Sequence, residues 1–130
     1  GGYTLSWSIL SGSGGANTGA LISPDENVID VYTPAMADTP ETWSIAASAA
    51  EWGGRLRSSS TDTEDEWGVD SASEKWLNIG PANRTIVDRS TETPGGGSQE
   101  VFQVRVDLGA ASAKPSAVYS TEITLTLINL

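Results

Sequence analysis

The side chains able to do chemistry in this sequence are carboxylates. The chain has 130 residues, 17 of them Asp or Glu against 7 Lys or Arg, with no His and no Cys. Without His the usual general base near neutral pH is missing, and so is the commonest zinc ligand. Without Cys there is no thiolate nucleophile, disulfide or thiolate metal site. Ser/His/Asp and Cys/His catalysis are excluded. Paired carboxylates remain, as in glycoside hydrolysis. In so acidic a chain some pair falls at a catalytic separation by accident, and none sits in a recognisable catalytic context. The densest group is TDTEDEWGVD, with Asp62, Glu64, Asp65, Glu66 and Asp70. Calcium wants six to eight oxygens, but this spacing does not match the EF-hand loop. The plainer reading is a solvated acidic loop. The expectation is therefore a protein that is not an enzyme, with no catalytic residues, no metal and no cofactor.

Aromatic residues offer the other route to a ligand. Trp7, Trp43 and Trp76 lie inside strand-like patterns and are expected in the core. Trp52 and Trp67 are flanked by Glu and Gly in loop-like sequence. They are the candidates for a glycan-stacking platform or an interface, with local packing an equal alternative. Asn83-Arg84-Thr85 is an N-x-T acceptor sequon, which makes Asn83 a candidate glycosylation site.

The net charge of -10 narrows the partners. Nucleic acid needs Lys and Arg to displace phosphate counterions, and an anionic membrane surface needs the same residues. Neither is expected. No apolar run is long enough to span a bilayer. The chain begins with Gly and shows no basic-then-apolar leader, which fits a processed mature chain or a trimmed piece of one.

The elements that must position these residues are strands. Period-two alternation dominates, and no segment has the 3.6-residue period of a long amphipathic helix. Candidate strands are TLSWSIL, NVIDVYT, TWSIAAS, RLRSS, KWLNI, RTIVD, EVFQVRVDL and VYSTEITLTLINL. Turn-forming SPDEN, ADTPE, IGPAN and TPGGGSQ separate them. AASAAE is expected to make at most one helical turn, stopped by Gly53-Gly54. The predicted fold is all-β, an antiparallel β-sandwich of Ig-like or jelly-roll-like type with roughly seven to nine strands. A barrel is the runner-up.

One domain fits the length, divided as residues 1–10, 11–20 and 21–130. Residues 1–10 form an alternating strand with Tyr3, Leu5, Trp7 and Ile9 on one side. Residues 11–20 are a Gly/Ser-rich tether, and 21–130 the sandwich. The bland reading is an ordinary first strand on a long loop. The sharper one is a donor arm that completes the sheet of a neighbouring copy, its apolar side chains filling an acceptor groove. That groove would be lined by Phe102, Val104, Ile123 and Leu125. Head-to-tail exchange does not close, so it builds a fibre. The expected partners are copies of the chain itself, in a pilus or cell-surface filament.

Two resemblances add to this. TWSIAASAAEW, KWLNIG and the closing VYSTEITLTLINL together resemble WxL-type surface domains of bacterial cell walls. Those are β-rich, with short Trp-x-Leu motifs and a final Tyr-x-x-x-Ile-x-Leu-x-Leu strand. Trp43-Ser44-Ile45 and Trp76-Leu77-Asn78 stand here for the motifs, neither a literal match. The likeness covers the last two-thirds of the chain and implies an extracellular, cell-surface location. It also supplies the alternative function, a cell-wall or glycan-binding module with surface polysaccharide as partner. The overall plan, an alternating arm before a sandwich with no cofactor chemistry, is similar to that of donor-strand pilins.

Overall fold

The computed structural model describes residues 1–9, 19–58, 64–68, 72–93 and 95–130. It is all-β, as its alternation demands. In chain order the strands are β1 (Tyr3–Ile9), β2 (Leu21–Ile22), β3 (Val28–Val31), β4 (Glu41–Thr42), β5 (Ala50–Ser58), β6 (Lys75–Trp76), β7 (Arg84–Arg89), β8 (Glu100–Leu108) and β9 (Ile123–Asn129). One short turn of helix, α1 (Glu64–Trp67), interrupts them.

Two main sheets carry the core. The first has the order β7-β1-β9, the second β2-β3-β5-β8, and β4-β6 forms a small two-stranded flap. Trp7, Ile9, Ile86 and Val87 from the first sheet meet Ile29, Ala50, Trp52 and Leu56 from the second in one buried cluster, joined by Trp67, Leu77 and Ile79. Pairing is antiparallel except for β3 against β5, which run parallel, a departure from the all-antiparallel expectation. Residues 32–49 make the parallel crossover possible, and only Glu41–Thr42 of that stretch is strand. TWSIAAS accordingly leaves the sheet after Thr42, where an uninterrupted strand was expected.

The Gly53-Gly54 pair does not stop a helix. It lies in the middle of β5, nine residues long and the partner of β8 along its whole length. Its two glycines are where other groups press closest to the strand. A side chain on Gly53 would meet the Leu77 carbonyl oxygen at 2.9 Å, and one on Gly54 would meet Ile79 Cδ1 at 2.9 Å. Close approach, not turning, explains them.

Candidate functional site

The site is the seat of β1. Its strand is the centre of its sheet, with β7 on one edge and β9 on the other. Tyr3, Leu5, Trp7 and Ile9 sit opposite Asn129, Leu127, Leu125 and Ile123 of β9. On the other side Tyr3 faces Arg89, Leu5 faces Val87, and Trp7 faces Arg84, with a bulge between Leu5 and Ser6. The predicted arm is therefore housed in its own chain's sheet.

Trp7 is the deepest plug, 0% exposed. Trp67 meets it edge-on at 5.3 Å and Phe102 at 5.7 Å, both T-shaped. Gly54 makes room below, its missing side chain lying 3.3 Å from Trp7 Cζ3 and 3.1 Å from Phe102 Cε2. Among the described residues the indole N–H of Trp7 has no hydrogen-bond partner. Burial here is thus apolar packing, obtained without satisfying the donor. Near the strand's start, Tyr3 Oη donates to Glu100 Oε1 at 2.8 Å, and burial pushes the Tyr3 hydroxyl's pKa up. Tyr3, Leu5, Glu100 and Leu127 border a cleft of about 480 Å³. In the middle, Ser6 Oγ and Thr85 Oγ1 lie 3.4 Å apart across β1 and β7.

Of the groove residues expected from sequence, Phe102 and Ile123 pack against the core beside β1. Leu125 pairs with Trp7 but stays 49% exposed, because β9 is an edge strand. Val104 lies opposite Gly54, yet it is 48% exposed and stands apart from the seat. The reason is that β8, also an edge strand, packs almost wholly on β5.

The glycan-platform expectation for Trp52 and Trp67 is corrected by their burial. Each is 1% exposed, which leaves no face for a sugar ring. Trp52 Nε1 donates to the Gly19 carbonyl at 2.9 Å and so ties the end of the tether to β5. Gly19, with φ of 89°, and the buried Ala20 belong to the packed domain rather than to a loose 11–20 tether. A side chain at Gly19 would strike Val31 Cγ1 at 2.9 Å. Residues 10–18 lie outside the described residues, as do Asp62 and Asp70. Glu66 pairs with Arg84, 2.7 Å away. Asn83 is exposed in the turn before β7.

Sequence reasoning passed over the two arginines on the outer face of the second sheet. Arg55 is buried, bonded to Gln103 at 3.0 Å, to the Trp67 carbonyl at 3.0 Å and to Glu74 at 3.0 Å. Burial lowers its pKa while Glu74 opposes the shift. Arg105 lies 5.0 Å over the ring of Trp43, whose other face is stacked on Tyr32 at 4.4 Å. Trp43 is only half-buried, but both of its faces are taken. The signal was present in RLR and QVRVD, where a cation alternates with apolar residues; what it opposed could not be read.

Comparison with protein families, with curated proteins and with solved structures finds no match for this chain.

Proposed function

We propose that the protein is a structural subunit of an extracellular cell-surface filament, assembled by exchange of β1 between copies. The observation that carries the reading is topological. The first strand of the chain fills the gap between β7 and β9, two strands from its second half. An element inserted from one end of a chain can be supplied by another chain with every contact retained. Trp7 would find the same Trp67, Phe102 and Gly54 in a neighbour. The surface location rests on the resemblance carried by Tyr119, Ile123, Leu125 and Leu127. The role is mechanical, without a catalytic step.

The connection permits the swap. Nine residues, 10–18, join Ile9 to Gly19. Fully extended they reach roughly 30 Å. Yet Ile9 Cγ2 lies only 3.5 Å from where a side chain on Gly19 would begin. The link is far longer than closure within one chain requires.

The Ser6–Thr85 contact supplies the test, since the chain has no cysteine of its own. Ser6→Cys and Thr85→Cys are made in separate chains, refolded together at high concentration and oxidised. A crosslink between the two chains requires β1 of one to lie beside β7 of the other. In the double variant, exchange gives a disulfide-linked ladder. A mixture with no heterologous crosslink, together with a double variant crosslinked only within each chain, overturns the proposal.

A further inference from the structure

The four outer strands of the two main sheets are β7, β9, β2 and β8. An unpaired edge is a template for another chain, and proteins usually blunt it with charge or brevity. β7 carries Arg84, Asp88 and Arg89, and β8 carries Glu100, Arg105 and Asp107. β2 is two residues long. β9 is different. Its seven residues, ITLTLIN, hold no charge, proline or glycine. Leu125, Leu127, Ile128 and Leu130 are all about half exposed or more, Leu127 reaching 66%.

Among the described residues no strand pairs with the outer edge of β9, and we propose that this edge pairs antiparallel with β9 of a second copy, about a two-fold axis at Thr126. A second copy is the occupant because the strand is complementary to itself and uncharged. Copies of a chain with net charge -10 repel one another over most of their surfaces. β9 is the long edge along which two copies meet with no like charges opposed. The sequence is also complementary to itself in this register. Leu125 faces Leu127 of the partner copy, twice over, and Thr126 faces its own counterpart. The half-exposed leucines on the inner face thereby cover each other, and the two three-stranded sheets join into one of six strands.

A contact of one strand pair belongs to the small, reversible class of interface, below about 1,200 Å². It becomes firm when many copies are already held in a row. This pairing goes beyond strand exchange and does not depend on it. The two are separated by working in the Ser6→Cys/Thr85→Cys background, with the disulfide closed inside each chain so that β1 is locked at home.

In that background, sedimentation equilibrium is expected to show a monomer–dimer equilibrium. Thr126→Lys and Thr126→Glu, each alone, are expected to weaken dimerisation at least tenfold, because each sets like charges face to face. An equimolar mixture of the two is expected to restore it as a heterodimer. Restoration separates pairing from misfolding, since mixing does not rescue an unfolded chain. A locked chain that stays monomeric at every concentration overturns the proposal. So does dimerisation that is unchanged in Thr126→Lys.

Discussion

Replacing Trp7 by alanine and by phenylalanine tests the seat of β1 directly. Trp7 is fully buried against Trp67, Phe102 and the bare α-carbon of Gly54. A buried tryptophan removes roughly 150–250 Å² from water. At about 25 cal/mol per Å² that is roughly 4–6 kcal/mol of gross transfer, and truncations of this size typically cost about 3–5 kcal/mol. Domains are stable by about 5–15 kcal/mol, so Trp7→Ala is expected to remove roughly a fifth of the total or more. Phenylalanine keeps one ring against Trp67 and Phe102 and deletes an N–H that has no partner. Relief of that desolvated donor, worth about 1–3 kcal/mol, offsets part of the lost volume. Trp7→Phe is therefore expected to cost only about 1–2 kcal/mol. Urea unfolding followed by far-ultraviolet circular dichroism measures both without relying on tryptophan emission. A loss below about 1 kcal/mol for Trp7→Ala would show that the ring is not the plug. Equal losses for the two variants would show that the indole N–H is satisfied.

Gly54→Ala places a methyl against Ile79, Phe102 and Trp7, an overpacking cost of about 1–3 kcal/mol partly offset by about 0.5–1 kcal/mol of reduced chain entropy, so the midpoint of urea unfolding should fall; a rise would mean that β1 sits further from β5. Burial, together with the Glu41 carboxylate that accepts its proton, pushes the Tyr32 hydroxyl's pKa up from 10.0 to about 12. The folded state holds this proton more tightly than the unfolded chain, so the stabilisation is complete below about pH 10 and is lost as pH rises through about 12. Absorbance at 295 nm should show one tyrosine ionising together with alkaline unfolding, and Tyr32→Phe should flatten that part of the pH–stability curve.

Alternation made β1, β8 and β9 legible because each largely keeps a two-residue period, and β7 was legible from its β-branched Thr85, Ile86 and Val87. β5 was hidden because AEWGG has the composition of a turn. Its glycines are set by what packs on them, Leu77, Ile79 and the ring of Trp7, and those neighbours are distant in sequence. Trp52 and Trp67 misled for a related reason. Flanking Glu and Gly suggest exposure, but exposure is decided by the layer above, and Trp67 is carried inward by α1 onto Trp7. The apolar face of β1 was recognisable, and so were Phe102 and Ile123 beside it, but not that Val104 stands apart. Which chain supplies each face is not encoded in the faces, since the same pairs form either way.

If copies assemble by exchange of β1, as proposed, that degeneracy would place its control in the length of residues 10–18. Every contact of β1 is common to the closed and the exchanged arrangements, so the free energies of the two differ mainly in how often the arm meets each seat. A Gly/Ser-rich link of nine residues holds the arm near its own seat at an effective concentration in the millimolar range. Exchange in dilute solution is therefore outcompeted by closure, although nothing in the seat opposes it. A neighbour's arm prevails once copies are concentrated to the same level, or aligned so that their seats are adjacent. Pairing along β9 would supply such alignment, raising the local concentration of arms without changing a contact in the seat. The strongly acidic surface works in the opposite direction, keeping subunits apart until an uncharged edge brings them together. On that proposal the chain would be stable alone, its sheet being complete, and would assemble by exchange of β1 and pairing along β9.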